Sequence, residues 1–261
     1  MNQNLNSPFK ELLYKKYLHT IGNHTKIRHD FDVMICTPGH CGTTFMETNL
    51  MKQGIKTYGT HLLIDLLYTL EQSNKTIITI MKDPISRNFS KFYTEIMYGQ
   101  KTGEKEAFHH HRMYNYYGPS CREVLSLNKE QINDLYDFQY FHFFPLFWMQ
   151  NFLKIVDIDL NKINKEKGIT IFELKNNNKL IILTCENLSN NKKEILKELN
   201  LKENDYNNIA VKKSDKNSPL WKKLSKDITY SREFIDKNLN HDVMHLLYTK
   251  DQIKKLYEKY I

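Results

Sequence analysis

The chain has 261 residues, 40% of them hydrophobic and 26% charged, with a formal net charge of +8. That length and apolar content suit one folded domain, and the composition excludes wholesale disorder. The positive balance favours an anionic partner, yet many lysines fall in Asn/Lys-rich stretches such as 176–179 and 190–193, which read as solvated turns and helix faces.

Residues 9–18 are predicted helical, and a polar, His-containing linker follows to residue 30. The apolar run DVMIC over 32–36, closed by Pro38 and Gly39, predicts a buried strand. A helix is expected over 43–52, with Phe45, Met46, Asn49 and Leu50 on one face and Gly54 as its stop. A short strand over 55–58 and an apolar helix over 62–70 come next. TIITIM over 76–81 is the clearest strand, being short, apolar and β-branched. Asp83 as N-cap and Pro84 at the first helical position then open a helix over 85–98. This alternation implies parallel strands joined by right-handed crossovers.

Residues 100–118 are irregular, basic and rich in His and Tyr. Residues 129–153 read as mostly helical, with Phe138, Phe141, Phe144, Phe147, Trp148 and Phe152 spaced as one core-facing side, and Pro145 as a kink or break. A β-hairpin is expected over 169–174 and 180–184, and helices over 192–199 and 250–260. One domain over 1–261 is expected, with 100–175 as an elaboration on the acceptor side. Cys36, Cys41, Cys121 and Cys185 form no CxxC or zinc spacing, so no metal is expected and a reducing compartment fits. The N-terminus lacks a continuous apolar stretch, and no run of about 18 apolar residues occurs, so a cytoplasmic protein without a transmembrane segment is expected.

Two loops carry the chemistry. In TPGHCGTTF over 37–45, Gly39, Gly42, Thr43 and Thr44 sit at a strand-to-helix turn, where glycines let backbone approach an anion and the helix start offers free N–H groups. No lysine follows Gly42, so the Walker pattern fails, which argues against a nucleotide kinase or an ATP- or GTP-hydrolysing loop. Alone, the stretch fits a tight turn as well as an anion cradle. The next loop, MKDPISRNFS over 81–90, puts Lys82 at a strand's carboxyl end, where α/β sheets form their ligand crevice. Arg87 and Ser90 lie one helical turn apart near that helix's start. Two small anion sites at neighbouring strand ends suggest a ligand phosphorylated at two positions.

These segments resemble the sulfotransferases that use 3′-phosphoadenosine 5′-phosphosulfate. The family's strand-[K/R]-x-G-T-[T/S]-helix motif reads HCGTT over 40–44, and its R-[DN]-P-x-x-R-x-x-S-x-[FY] motif reads KDPISRNFSKF over 82–92. LIILTCENL over 180–188 is similar to the family's strand followed by Y-E-[DN]-L. The likeness covers about 32–100 and 180–200; a looser one links the hairpin and C-terminal helix to bacterial capsular polysaccharide synthesis proteins. It implies a P-loop NTPase-like three-layer α/β fold with a four- or five-stranded parallel sheet flanked by helices. It implies that the loop residues Gly39, His40, Cys41, Gly42, Thr43 and Thr44 meet the 5′-phosphosulfate, and that Lys82 and Ser90 hold the 3′-phosphate. Arg87 matches a family position and serves either the ligand or its own helix. Lys212 and Lys213 are late basic candidates for the 3′-phosphate, or plain solvated lysines.

The expected co-substrate is 3′-phosphoadenosine 5′-phosphosulfate, and the expected acceptor is a hydroxyl, on a carbohydrate by the looser likeness, with no nucleic acid partner. Sulfuryl transfer needs in-line positioning, charge stabilisation on the leaving oxygen and a base for the acceptor. YGTHL over 58–62 matches the family's K-T-H-L-P segment, making His61 the candidate base; a helix-capping role is the alternative. Glu47 and Glu95 are fallback bases. His40 stands where the family has its lysine, and a protonated imidazole there would serve the leaving group, although the helix dipole opposes that charge. A non-catalytic relative that has lost its lysine is the alternative. Aromatic and basic residues of 108–117, including His109, His110 and His111, either line an acceptor cleft or form a polar loop.

Overall fold

A computed structural model describes residues 30–98, 120–138, 144–188, 190–201 and 216–261. The expected helix over 9–18, the loop over 100–118, Phe141, Lys212 and Lys213 lie outside these residues, as does the side chain of Phe138.

Five strands form one sheet: β1 (Val33–Cys36), β2 (Thr57–Thr60), β3 (Thr76–Met81), β4 (Ile169–Glu173) and β5 (Lys179–Thr184), in the order β2-β1-β3-β5-β4. All neighbours pair in parallel except β4, which runs antiparallel to β5. The sheet is therefore mostly parallel with one reversed edge. The hairpin dictates this, because a short Lys175–Asn177 turn can only fold the chain back on itself. The second strand begins two residues later than its pattern suggested and reaches Thr60, so His61 follows it directly.

Eleven helices are described: α1 (Thr43–Lys52), α2 (Leu63–Glu71), α3 (Pro84–Tyr98), α4 (Cys121–Ser126), α5 (Lys129–Phe138), α6 (Phe144–Val156), α7 (Lys192–Glu198), α8 (Pro219–Asp227), α9 (Arg232–Leu239), α10 (Asp242–Leu247) and α11 (Lys250–Tyr260). Strand periodicity divides the core. Val33, Ile35, Ile78, Ile80, Ile181 and Leu183 face one side, where Met46 and Leu50 of α1 and Ile195 of α7 cover them. Met34, Cys36, Ile77, Met81, Leu180 and Ile182 face the other, under α2, α6 and α9 to α11. Burial on both faces explains why these strands read as unbroken apolar runs. A third cluster, with Phe92, Ile96, Ile132 and Leu224, joins α3 to α4, α5 and α8.

Helices α4, α8, α9 and α10 go beyond the sequence expectations, although Ser120, Ser218, Ser231 and His241 cap them and Pro219 opens α8, all of them local signals. Of the expected helix over 129–153, α5 and α6 are described, Pro145 being the second residue of α6 as described, and residues 139–143 lie outside the described residues. The aromatic side is only partly core: Trp148 and Phe152 are buried, whereas Phe147 is 62% exposed. Among the described residues, no helix is long and apolar enough to cross a membrane.

Candidate functional site

The chain leaves β1 for β2 on one side and reaches β3 on the other, with α1 and α2 covering opposite faces. The carboxyl ends of β1 and β3 thus flank the switch point of the sheet, where a crevice opens between loops. The register sets Cys36 beside Thr60 and Met81 beside Thr184, so the loops bearing His40, His61, Lys82 and Glu186 all leave one edge.

The first loop is wound tightly. Gly39, His40 and Gly42 have φ of 79°, 56° and 89°, so the left-handed region is entered on both sides of Cys41. Glycine reaches these angles freely, but His40 does so at a cost, a kind of strain that clusters at functional sites. Gly42 is the N-cap of α1, no side chain caps that helix, and no acidic residue occupies its first turn. Its leading N–H groups and positive dipole end are left for an anion. Thr43 turns its hydroxyl inward, with its Oγ1 2.6 Å from Thr37 Oγ1, while Thr44 stays exposed. Thr37 Oγ1 also accepts from the Gly39 N–H at 3.2 Å. Cys41 is fully buried with its thiol donating to the Gly39 carbonyl, and burial pushes the thiol up to about 12, so it stays protonated.

Arg87 reaches the first loop from α3. Its side chain is 1% exposed, with Nε donating to Gly39 O at 3.2 Å and Nη2 to Pro38 O at 2.5 Å. Its guanidinium also lies 5.2 Å from the Phe144 ring centroid. The residue therefore fixes the shape of the first loop from α3 and joins the two motifs. By contrast, Lys82 and Ser90 meet as a pair: Lys82 Nζ donates to Ser90 Oγ at 2.8 Å, and Ser90 Oγ donates to Ser86 O at 2.8 Å. Both remain partly exposed.

His61 has the orientation of a base. Its Nδ1 lies 2.9 Å from Thr37 O, and a carbonyl only accepts, so Nδ1 carries the proton and Nε2 keeps its lone pair. Nε2 sits over Gly39, 3.5 Å from where a Cβ would stand. Trp148 Nε1 donates to His61 O at 3.0 Å, which fixes the backbone. The ring is exposed at the rim yet surrounded by protein, and this desolvation lowers its pKa against the opposing effect of the Thr37 carbonyl.

His40 is neutral in this state. Burial chiefly, then the charges of Arg87, His61, Lys91 and Lys82, lower its pKa to about 3. Lys91, on α3 one turn beyond Arg87, is a member of this cationic group that the sequence reading did not select. It pairs with Glu95 at 3.4 Å. Glu95 is thus engaged on α3, whereas the Glu47 carboxylate lies against Gly59 of β2, 3.0 Å from a Cβ built there. No cluster of three metal-ligating side chains occurs among the described residues.

A second network backs Lys82. The Asp83 N–H donates to Glu186 Oε1 at 3.0 Å, and Tyr248 OH donates to Glu186 Oε2 at 2.8 Å. Solvent reaches Glu186 from one side, but surrounding protein still raises its pKa. Asp83 is 1% exposed and caps α3 through Oδ1, which accepts from the Ile85 and Ser86 N–H groups. Its Oδ2 accepts from Tyr260 OH at 2.6 Å and Lys259 Nζ at 3.1 Å. No protein-family model, curated protein or solved structure matches the chain.

Proposed function

We propose that the protein is a P-loop-like sulfotransferase that moves a sulfuryl group from 3′-phosphoadenosine 5′-phosphosulfate to a hydroxyl, on a carbohydrate acceptor. The observation that carries this reading is the presence of two anion-competent groups at adjacent parallel strand ends. One is the uncapped, left-handed loop at the start of α1; the other is the Lys82–Ser90 pair beside the start of α3. A nucleotide with phosphate at both its 5′ and 3′ positions matches two such groups, whereas a mononucleotide leaves one unused. The excess of basic residues and the looser likeness to capsular polysaccharide proteins favour a glycan.

In this reading the 5′-phosphosulfate lies on the N–H groups of residues 39–44, and Lys82 and Ser90 take the 3′-phosphate. The acceptor O–H gives its proton to His61 Nε2 as its oxygen bonds to sulfur. The bond from sulfur to the bridging phosphate oxygen breaks, and adenosine 3′,5′-bisphosphate leaves with that electron pair. His40 takes the place of the usual lysine by donating a ring N–H to the bridging oxygen. Histidine in place of the family's lysine at position 40 favours a second reading, a non-catalytic binder of the same nucleotide.

Thermal stabilisation by adenosine 3′,5′-bisphosphate, exceeding that by AMP or ATP, is expected, together with transfer of radiolabelled sulfate to a glycan panel. Equal stabilisation by all three nucleotides would defeat the two-phosphate reading. Selective stabilisation without transfer to any acceptor would select the binder.

A further inference from the structure

The C-terminal helix touches the second anion group through a chain of side chains that the motif does not contain. Tyr260 OH lies 2.6 Å from both Asp83 Oδ2 and Ser86 Oγ. Lys259 Nζ donates to Ser86 Oγ at 2.6 Å, to Tyr260 OH at 2.7 Å and to Asp83 Oδ2. These bonds occupy all three ammonium donors, so Lys259 acts within the protein rather than on a ligand. Ser86 in turn offers its carbonyl to Ser90 Oγ, the oxygen that holds Lys82 Nζ. The residue between Lys82 and Pro84 is gripped from two sides by the same region: its carboxylate by Lys259 and Tyr260, and its N–H by Glu186, which Tyr248 holds.

We infer that Tyr260 and Lys259 are positioning residues for the Lys82–Ser90 phosphate group, making α11 part of the nucleotide site; this rests on the two-phosphate reading above. A phosphate oxygen is held well only if its ammonium and hydroxyl partners are fixed to within a fraction of an ångström. Lys82 stands on an irregular segment between β3 and α3, and the fixed points next to it are Asp83 and Ser86. Both are set by residues more than 170 positions away in the chain.

The test compares binding of adenosine 3′,5′-bisphosphate and AMP to the full chain and to Tyr260→Phe, which keeps the ring but removes the hydroxyl. Wild type is expected to prefer the bisphosphate, and the variant to lose roughly tenfold of that preference, with AMP binding unchanged. A role confined to overall stability would shift the unfolding midpoint and leave the ratio of the two affinities alone. An unchanged ratio, or equal loss for both nucleotides, overturns the inference while leaving the two-phosphate reading in place. Absence of any preference in wild type overturns both. Lys259→Gln is expected to act in the same direction. Should that chain fail to fold with Asp83 left buried, Asp83→Asn/Lys259→Gln removes the ammonium in a charge-balanced way and is expected to show the same selective loss; an unchanged ratio there overturns the inference too.

Discussion

The charge on His40 separates the enzyme reading from the binder. In the free protein its pKa falls from 6.5 to about 3, chiefly through burial and then through the charges of Arg87, His61, Lys91 and Lys82. That difference corresponds to on the order of 5 kcal/mol against protonation. A unit negative charge about 4 Å from the ring returns about 4 kcal/mol at an effective dielectric of ~20, so a phosphate-type dianion there reverses the balance. Water reaching the partly exposed ring reduces both figures together. Binding of adenosine 3′,5′-bisphosphate is therefore expected to take up close to one proton near neutral pH. The sign follows from the bound form having the higher pKa: affinity strengthens as pH falls from 8 towards 6. Calorimetry in buffers of different ionisation enthalpy measures the uptake, and His40→Gln should abolish it. Wild-type binding with no proton uptake, at an affinity that His40→Gln matches, would refute the reasoning and leave His40 as a spectator.

Three further outcomes are expected. Gly39→Ala places a left-handed residue at φ 79°, costing roughly 1–2 kcal/mol, and sets its methyl 3.5 Å from His61 Nε2. Transfer should accordingly fall much further than the melting temperature suggests, and a fall in stability alone would count against His61 as the base. Arg87→Met strips the buried Pro38 carbonyl of its Arg87 donor, about 1–3 kcal/mol, and leaves the Gly39 carbonyl with only the weak Cys41 thiol, so urea unfolding should shift and bisphosphate binding weaken together; unaltered stability would sink the loop-clamp role. In the ligand-free protein His61 has a lowered pKa, so it stays an unprotonated base as pH falls through 6.5, and the acid limb of kcat/KM for the nucleotide, which reports the free enzyme, should lie below that value and vanish in His61→Ala. An acid limb at or above 6.5, or wild-type rates in His61→Ala, would displace it.

The sequence by itself determined the local frame of this protein. Apolar runs too short for helices, each followed by helical periodicity, define β1, β3, α1 and α3 at nearly their observed bounds. Asp83 and Pro84 announced the start of α3 because capping is decided within four residues of chain. The loop at 37–45 and the segment at 81–90 could be picked out as anion-binding candidates for the same reason, since glycine freedom and helix starts are local properties. Tertiary structure alone decided which way the side chains turn. Arg87 and Ser90 are equivalent by helical spacing, yet one is buried on the Pro38 and Gly39 carbonyls and the other meets Lys82. The lone pair of His61 is freed only because β1 lies next to β2 in register, bringing Thr37 O to Nδ1. Tyr260 reaches Asp83 across 177 positions, and Trp148 reaches His61 across 87. No pattern within a segment encodes such contacts, because they depend on how separately folded elements pack, and that packing is set by the whole core rather than by any stretch of sequence.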